Sequence, residues 1–137
     1  MIALAILALV AAAAAAPLAG PWGAPLYAAF GWICHQQPER SWHLAGEPLA
    51  VCVRCLGLYL GALGGAVLRF GFSRRLLVAT ALLLAGDWAA ESAGLLGPRP
   101  IARFLIGAAA GLALVSALVE PRRWRQRILS VKGAVSP

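Results

Sequence analysis

Four apolar stretches, residues 1–18, 51–72, 76–96 and 101–119, constrain this chain more than anything else in it. Each is close to the ~20 residues that a helix needs to cross the hydrocarbon core of a bilayer. Inside lipid every backbone polar group must find its partner within the protein, which leaves helices and closed barrels as the spanning elements. The expected fold is therefore all-α: a membrane protein with four transmembrane helices in a compact bundle. A long outward loop, residues 20–50, joins the first two. The short joins "SRR" and "GPRP" make the second, third and fourth helices antiparallel neighbours.

Composition agrees. Of 137 residues, 61% are hydrophobic and 12% are charged, and the mean hydropathy is +0.80. A soluble domain is nearer half apolar and a quarter charged. One domain over residues 1–121, followed by a basic tail at 122–137, accounts for the length. The opening "MIALAILALVAAAAAAPL" also has the look of a secretory leader. No Lys or Arg precedes it, however, and the run exceeds a leader's usual apolar core, so an uncleaved helix is expected.

The net charge of +7 is distributed as in a membrane protein. Arg122, Arg123, Arg125, Arg127 and Lys132 crowd the tail, and Arg69, Arg74 and Arg75 flank one turn. Four crossings place both clusters on one side, which the positive-inside tendency makes cytoplasmic. Anionic lipid head groups suffice as their partner, and nucleic acid is not expected. The expected location is the cytoplasmic (inner) membrane, multi-pass, with both termini inside. Trp22, Trp32, Trp42 and Trp124 fall near the expected interfaces.

The outward loop contains a polar island, "ICHQQPERSW". Pro25 is suited to start a short helix over "LYAAFGWICHQQ", and Pro38 to end it. A second polar element, "VCVRCLGLYLG", opens the second helix, with Cys52 and Cys55 on one helical face. Cys34 and His35 from the island complete a Cys₃His set, a common tetrahedral arrangement for zinc. Iron is the second candidate metal, and His43 is a spare ligand. A c-type haem is disfavoured because Leu56, not His, follows the second cysteine.

The same residues support thiol chemistry. Arg54 sits between the two cysteines at a helix start, which favours thiolate. The alternative function is thus a membrane thiol–disulfide oxidoreductase using Cys52–Cys55 with a quinone. Against both stands the plain reading of buried, inert cysteines.

Asp87 and Glu91 lie one turn apart on one face of the third helix. Such residues cost roughly 2.5–3.5 kcal/mol at a helix centre and normally face a partner inside the bundle. Glu91 is expected ~7 Å below the outer surface by helix rise, level with Arg54, Arg103 and the cysteines. Asp87 and Glu91 are the candidate base or proton relay. Arg54, Arg103, Arg40, Gln36 and Tyr59 are the candidate ligand contacts. Structural ion pairing alone also explains these charges. Gly57, Gly61 and Gly65, with Gly107 and Gly111, recur at four-residue spacing and mark faces where two helices approach closely.

"CHQQPERSW" and "CVRCLGLYLG" resemble the pattern C-H-Q-x-P-x-R-S … C-x-R-C-x-G-x-Y-x-G of a prokaryotic family of small integral membrane proteins of unknown function. The resemblance rests on Cys34, His35, Gln36, Pro38, Arg40, Ser41, Cys52, Arg54, Cys55, Gly57, Tyr59 and Gly61, with Asp87, Glu91–Ser92, Arg103 and Gly107 in the second half. It implies a membrane location and a shared purpose for the two motifs, and no activity. The expectation is a Cys/His metal site on the extracytoplasmic side, above an outer-leaflet polar pocket that binds or acts on a lipid or small anion. A water on the metal would make it hydrolytic. An ion or anion carrier ranks last. Membrane lipids and a second copy of the chain are the other expected partners.

Overall fold

The computed structural model describes the backbone of residues 1–68 and 74–134, and the side chains of these other than residue 74 and residues 119–134. Among the described residues, five α-helices and one small hairpin follow in order: α1 (Ile2–Ala15), α2 (Ala24–Gly31), β1 (His43–Leu44), β2 (Glu47–Pro48), α3 (Val53–Leu68), α4 (Arg74–Ser92) and α5 (Pro100–Ala134). Short 3₁₀ turns at Ala16–Leu18, Gly20–Gly23 and Pro38–Arg40 punctuate the connections.

The helical class is as expected, but the four membrane-length crossings are not supported. Among the described residues one helix segment, Pro100–Leu118, is long and apolar enough to cross a membrane, while Ile2–Leu18 and Val53–Leu68 are apolar but shorter. In the first stretch Pro17 sits at the start of a 3₁₀ turn, and the α-helix stops at Ala15. In the second, Ala50 to Cys52 stay non-helical, so α3 has 16 residues. That is about 24 Å of helix, against a hydrocarbon core of roughly 30 Å. Helix α4 has 19 residues, but Arg74, Arg75, Asp87 and Glu91 lower its hydropathy. At the other extreme, α5 runs past the expected end at residue 119 to Ala134, so the tail continues as helix. The expected end of the second stretch at 69–72 and the charge of Arg69 lie outside the described residues. So do the side chains of Arg74, Trp124 and the basic tail.

Helices α3 and α5 form the main interface, and glycine makes it possible. A Cβ on Gly61 would run into the backbone carbonyl of Ala108, and one on Gly111 into that of Leu58. The two backbones therefore touch, as small-residue faces allow. Helix α4 joins α5 less extensively and leaves Val78, Leu82, Leu83 and Trp88 exposed. Exposed apolar side chains also line α1 and α5, at Leu4, Leu7, Ile101, Leu105 and Leu118. So much uncovered apolar surface marks a helix set built for lipid or partner contact.

The loop between α1 and α3 folds back on the bundle. Ala13, Ala16, Phe30, Cys34, Ala50, Val51 and Leu56 form one buried cluster that ties α1, α2 and the start of α3 together. Helix α2 ends at Gly31, earlier than the Pro38 boundary expected from the sequence. The β1–β2 hairpin turns at Ala45 and Gly46, both at positive φ (54° and 89°), the geometry of a two-residue type I′ turn. Trp42 stacks on Phe104 of α5 with centroids 5.2 Å apart, pinning the loop across the helix end.

Candidate metal centre

The polar island is held by backbone geometry before any ligand is considered. After α2 the N–H groups of Ile33 and Cys34 both donate to the Phe30 carbonyl, turning the chain inward and burying Cys34. Gln36 follows at φ +48°. Its amide nitrogen donates to the carbonyls of Tyr27 at 2.7 Å and Ala50 at 2.8 Å. One side chain thus staples the island to both α2 and the residue just before the second cysteine element. Ser41 adds a bond from its hydroxyl to the Gln37 carbonyl at 3.1 Å.

That staple sets the cysteines against one another. Cys52 precedes α3, and its carbonyl accepts the Leu56 N–H at 2.9 Å. Its own N–H donates to Cys34 Sγ at 3.1 Å. Cys55 lies in the first turn of α3. The three Sγ atoms lie within 4.8 Å of one another, and all three cysteines are free. A tetrahedral zinc with Zn–S near 2.3 Å needs sulfurs about 3.8 Å apart, a spacing that falls within this bound. The donor set therefore fits a thiophilic ion. Hydrogen bonds from the Cys52 thiol and then the Cys55 thiol, with backbone N–H groups of Cys52 and Gln36, lower the Cys34 pKa to about 2 despite its burial. Cys34 is a thiolate cradled by two thiols.

Next to the sulfurs lies an ion-pair network drawn from the loop and three helices. Arg54 of α3 meets Asp87 at 2.6 Å and Glu91 at 2.8 Å, both on α4. Arg103 of α5 meets Glu91 at 2.6 Å, and Arg40 of the loop meets the same oxygen at 3.0 Å. Arg99 closes the set on Asp87 at 3.2 Å. Both carboxylate side chains are 6% exposed, whereas Arg40 and Arg99 are 42% and 47% exposed. Glu91 stands where it does because α4 ends just beyond it. Gly94, at φ +72°, takes the left-handed position. Its N–H donates to the Glu91 carbonyl and that of Leu95 to the Ala90 carbonyl, a Schellman stop. Pro100 then starts α5.

Sulfurs and charges share one cavity of about 360 Å³, whose lining includes Cys34, Cys52, Cys55, Arg40, Arg54, Glu91 and Arg103. Three of the four expected ligands, Cys34, Cys52 and Cys55, thus come together. His35 is exposed on the cavity wall and stands outside the sulfur cluster, and His43 is exposed on β1. Of the expected ligand contacts, Arg40, Arg54 and Arg103 line the cavity. Gln36 holds the loop instead, and Tyr59 packs against the buried apolar cluster. Asp87 sits behind Arg54 and does not line the cavity. Arg99 was missing from the sequence-derived set, although it precedes Arg103 by one turn. Trp88 and Ser92 also line the wall, and only their place beside Glu91 on α4 hinted at it.

Residues 34–117 match a family described as predicted membrane protein (DUF2085). An uncharacterized protein of Methanocaldococcus jannaschii is 34% identical over 100 residues, 66% of this chain and 64% of the relative. One from Methanothermobacter thermautotrophicus is 41% identical over 54 residues, 39% of this chain and 49% of the relative. The chain thus spans less than two thirds of either relative's length. No solved structure matches it.

Proposed function

Because the chain belongs to the DUF2085 family of predicted membrane proteins, we propose that it is an integral membrane metal-binding protein whose ion, zinc, is held by Cys34, Cys52 and Cys55. The carrying observation is the meeting of three sulfurs from two segments within 4.8 Å of one another. Three protein ligands with a fourth position open to a cavity is the pattern of a reactive rather than a purely structural zinc. The ion would lower the pKa of a bound water, and Glu91 in the same cavity is the candidate base. The cavity takes the lipid or small anion expected from the sequence. His35, on the same wall, is the side chain placed to meet that ligand or its solvent.

The orientation proposed is cavity outward, in the cytoplasmic membrane, with Pro100–Leu118 as the crossing segment. Its support is the run of the helices. Helices α3 and α5 begin at the cavity and α4 ends there, so the Arg74/Arg75 turn and the basic tail belong to the opposite, positive-inside end.

Cobalt substitution tests the metal reading. A thiolate-to-cobalt charge-transfer band in the wild type, lost in Cys52→Ser and Cys34→Ser, is the expected result. A Cys52–Cys55 disulfide without such a band would turn the reading to thiol–disulfide chemistry, in which the Cys52–Cys55 dithiol passes two electrons and two protons to a quinone as its disulfide forms, and Cys34 can then exchange with that disulfide.

A further inference from the structure

We infer that the arginine wall of the cavity is a receptor for a phosphate-type oxyanion, held by Arg40, Arg54 and Arg103. The inference rests on the proposed function only in treating the cavity as the ligand-facing side of the thiol cluster; its charge basis is independent of any metal.

Three arginines and one carboxylate, Glu91, line the cavity, a net +2, and the Arg99–Asp87 pair behind them adds nothing to that balance. The thiol cluster contributes −1, whether as the single Cys34 thiolate or as a divalent ion on three thiolates, which still leaves +1 beside the cavity. Uncompensated positive charge on the Arg54 and Arg103 side chains, only 17% and 9% exposed, is costly, and an anionic ligand removes the cost. The carboxylates do not exhaust the guanidinium donors. Each arginine reaches them through one terminal nitrogen, and the buried Arg54 Nε has no partner. A guanidinium carries five donors in a planar fork that matches phosphate oxygens two at a time.

The donors come from three separate elements. Arg40 comes from the loop, Arg54 from α3 and Arg103 from α5, so donors approach from three directions. A tetrahedral anion offers an oxygen to each of the three. Exposed Trp88 on the cavity wall, with Trp42 nearby over Phe104, supplies the apolar rim that a membrane-interface ligand meets. A lipid head group and a free phosphate share this chemistry.

The test is calorimetric titration of the zinc-loaded protein in a neutral, phosphate-free detergent, with inorganic phosphate, dihexanoyl phosphatidate and dihexanoyl phosphatidylcholine as probes. One saturable site per chain for phosphate or phosphatidate is expected, weakened at least about tenfold in Arg40→Gln and in Arg103→Lys. Phosphatidate alone identifies a lipid ligand, and equal binding of inorganic phosphate a soluble one. No saturable binding of either probe overturns the inference. So does phosphatidylcholine binding as tightly as phosphatidate, or unchanged affinity in Arg40→Gln with wild-type helicity by circular dichroism. Zinc content of the same samples reports the metal reading separately. Repeating the titration on Cys34→Ser, which lacks the metal, shows whether the anion site stands without it.

Discussion

Arg54 on α3 and Glu91 on α4 meet at 2.8 Å across 37 residues of sequence, and Glu91 is also the meeting point of Arg40 and Arg103. One carboxylate therefore gathers the loop, α3 and α5 onto the end of α4. Removing it strands Arg103, whose side chain is 9% exposed, and leaves Arg54, 17% exposed, with Asp87 alone. Glu91→Ala should cost about 3–5 kcal/mol, the usual loss when one partner of a buried pair is deleted. Arg99→Ala, which removes a half-exposed partner, should cost no more than about 1 kcal/mol. Reversible unfolding in mixed micelles measures both.

The contact of α3 and α5 makes a second contrast. Gly61→Ala drives a methyl group into the Ala108 backbone, and an overpacked site of this kind costs roughly 1–3 kcal/mol. Gly86→Ala on α4 meets nothing within 4 Å and should be neutral or stabilising by up to about 1 kcal/mol. Thermal unfolding of the two variants side by side separates them.

How much of this was legible in the sequence follows from range. The Asp87/Glu91 pair announced itself because acids one turn apart on an apolar helix need partners, and Arg54 and Arg103 were the cations at matching depth. The glycine ladders announced the α3–α5 contact in the same way. Helix lengths were less legible, since hydropathy does not register where Pro17 tightens α1 into a 3₁₀ turn or where Ala50–Cys52 delay α3. Nor does it register α5 continuing through Pro121. The Gln36 staple was hidden for another reason. It depends on a positive φ and on two carbonyls, Tyr27 and Ala50, that no residue pattern reveals.

Gln36 therefore becomes a positioning residue. Its amide fixes the loop that presents Cys34, and its backbone N–H supports the Cys34 sulfur. Gln36→Ala should weaken zinc about 10–100-fold, the range for partners that orient metal ligands, with helicity unchanged. Competition with a chromophoric chelator measures it, and wild-type affinity would assign Gln36 to folding alone.

Cys34 is already a thiolate at neutral pH, its pKa lowered to about 2 by hydrogen bonds from the Cys52 and Cys55 thiols. Those two donors keep their protons until a metal arrives. Zinc binding at pH 7 should therefore release two protons per ion rather than three. Calorimetry in buffers of different ionisation enthalpy counts them, and a release of three would show that Cys34 is a protonated thiol.

The proposed metal site stands on its three sulfurs. Its most direct test is metal content by mass spectrometry, with a free-thiol count, on protein purified without a polyhistidine tag. About one zinc per chain, lost in Cys34→Ser, Cys52→Ser and Cys55→Ser and shielding the thiols from alkylation until a chelator is added, is the predicted result. Metal-free protein whose thiols react freely, or are joined as a disulfide, would contradict it.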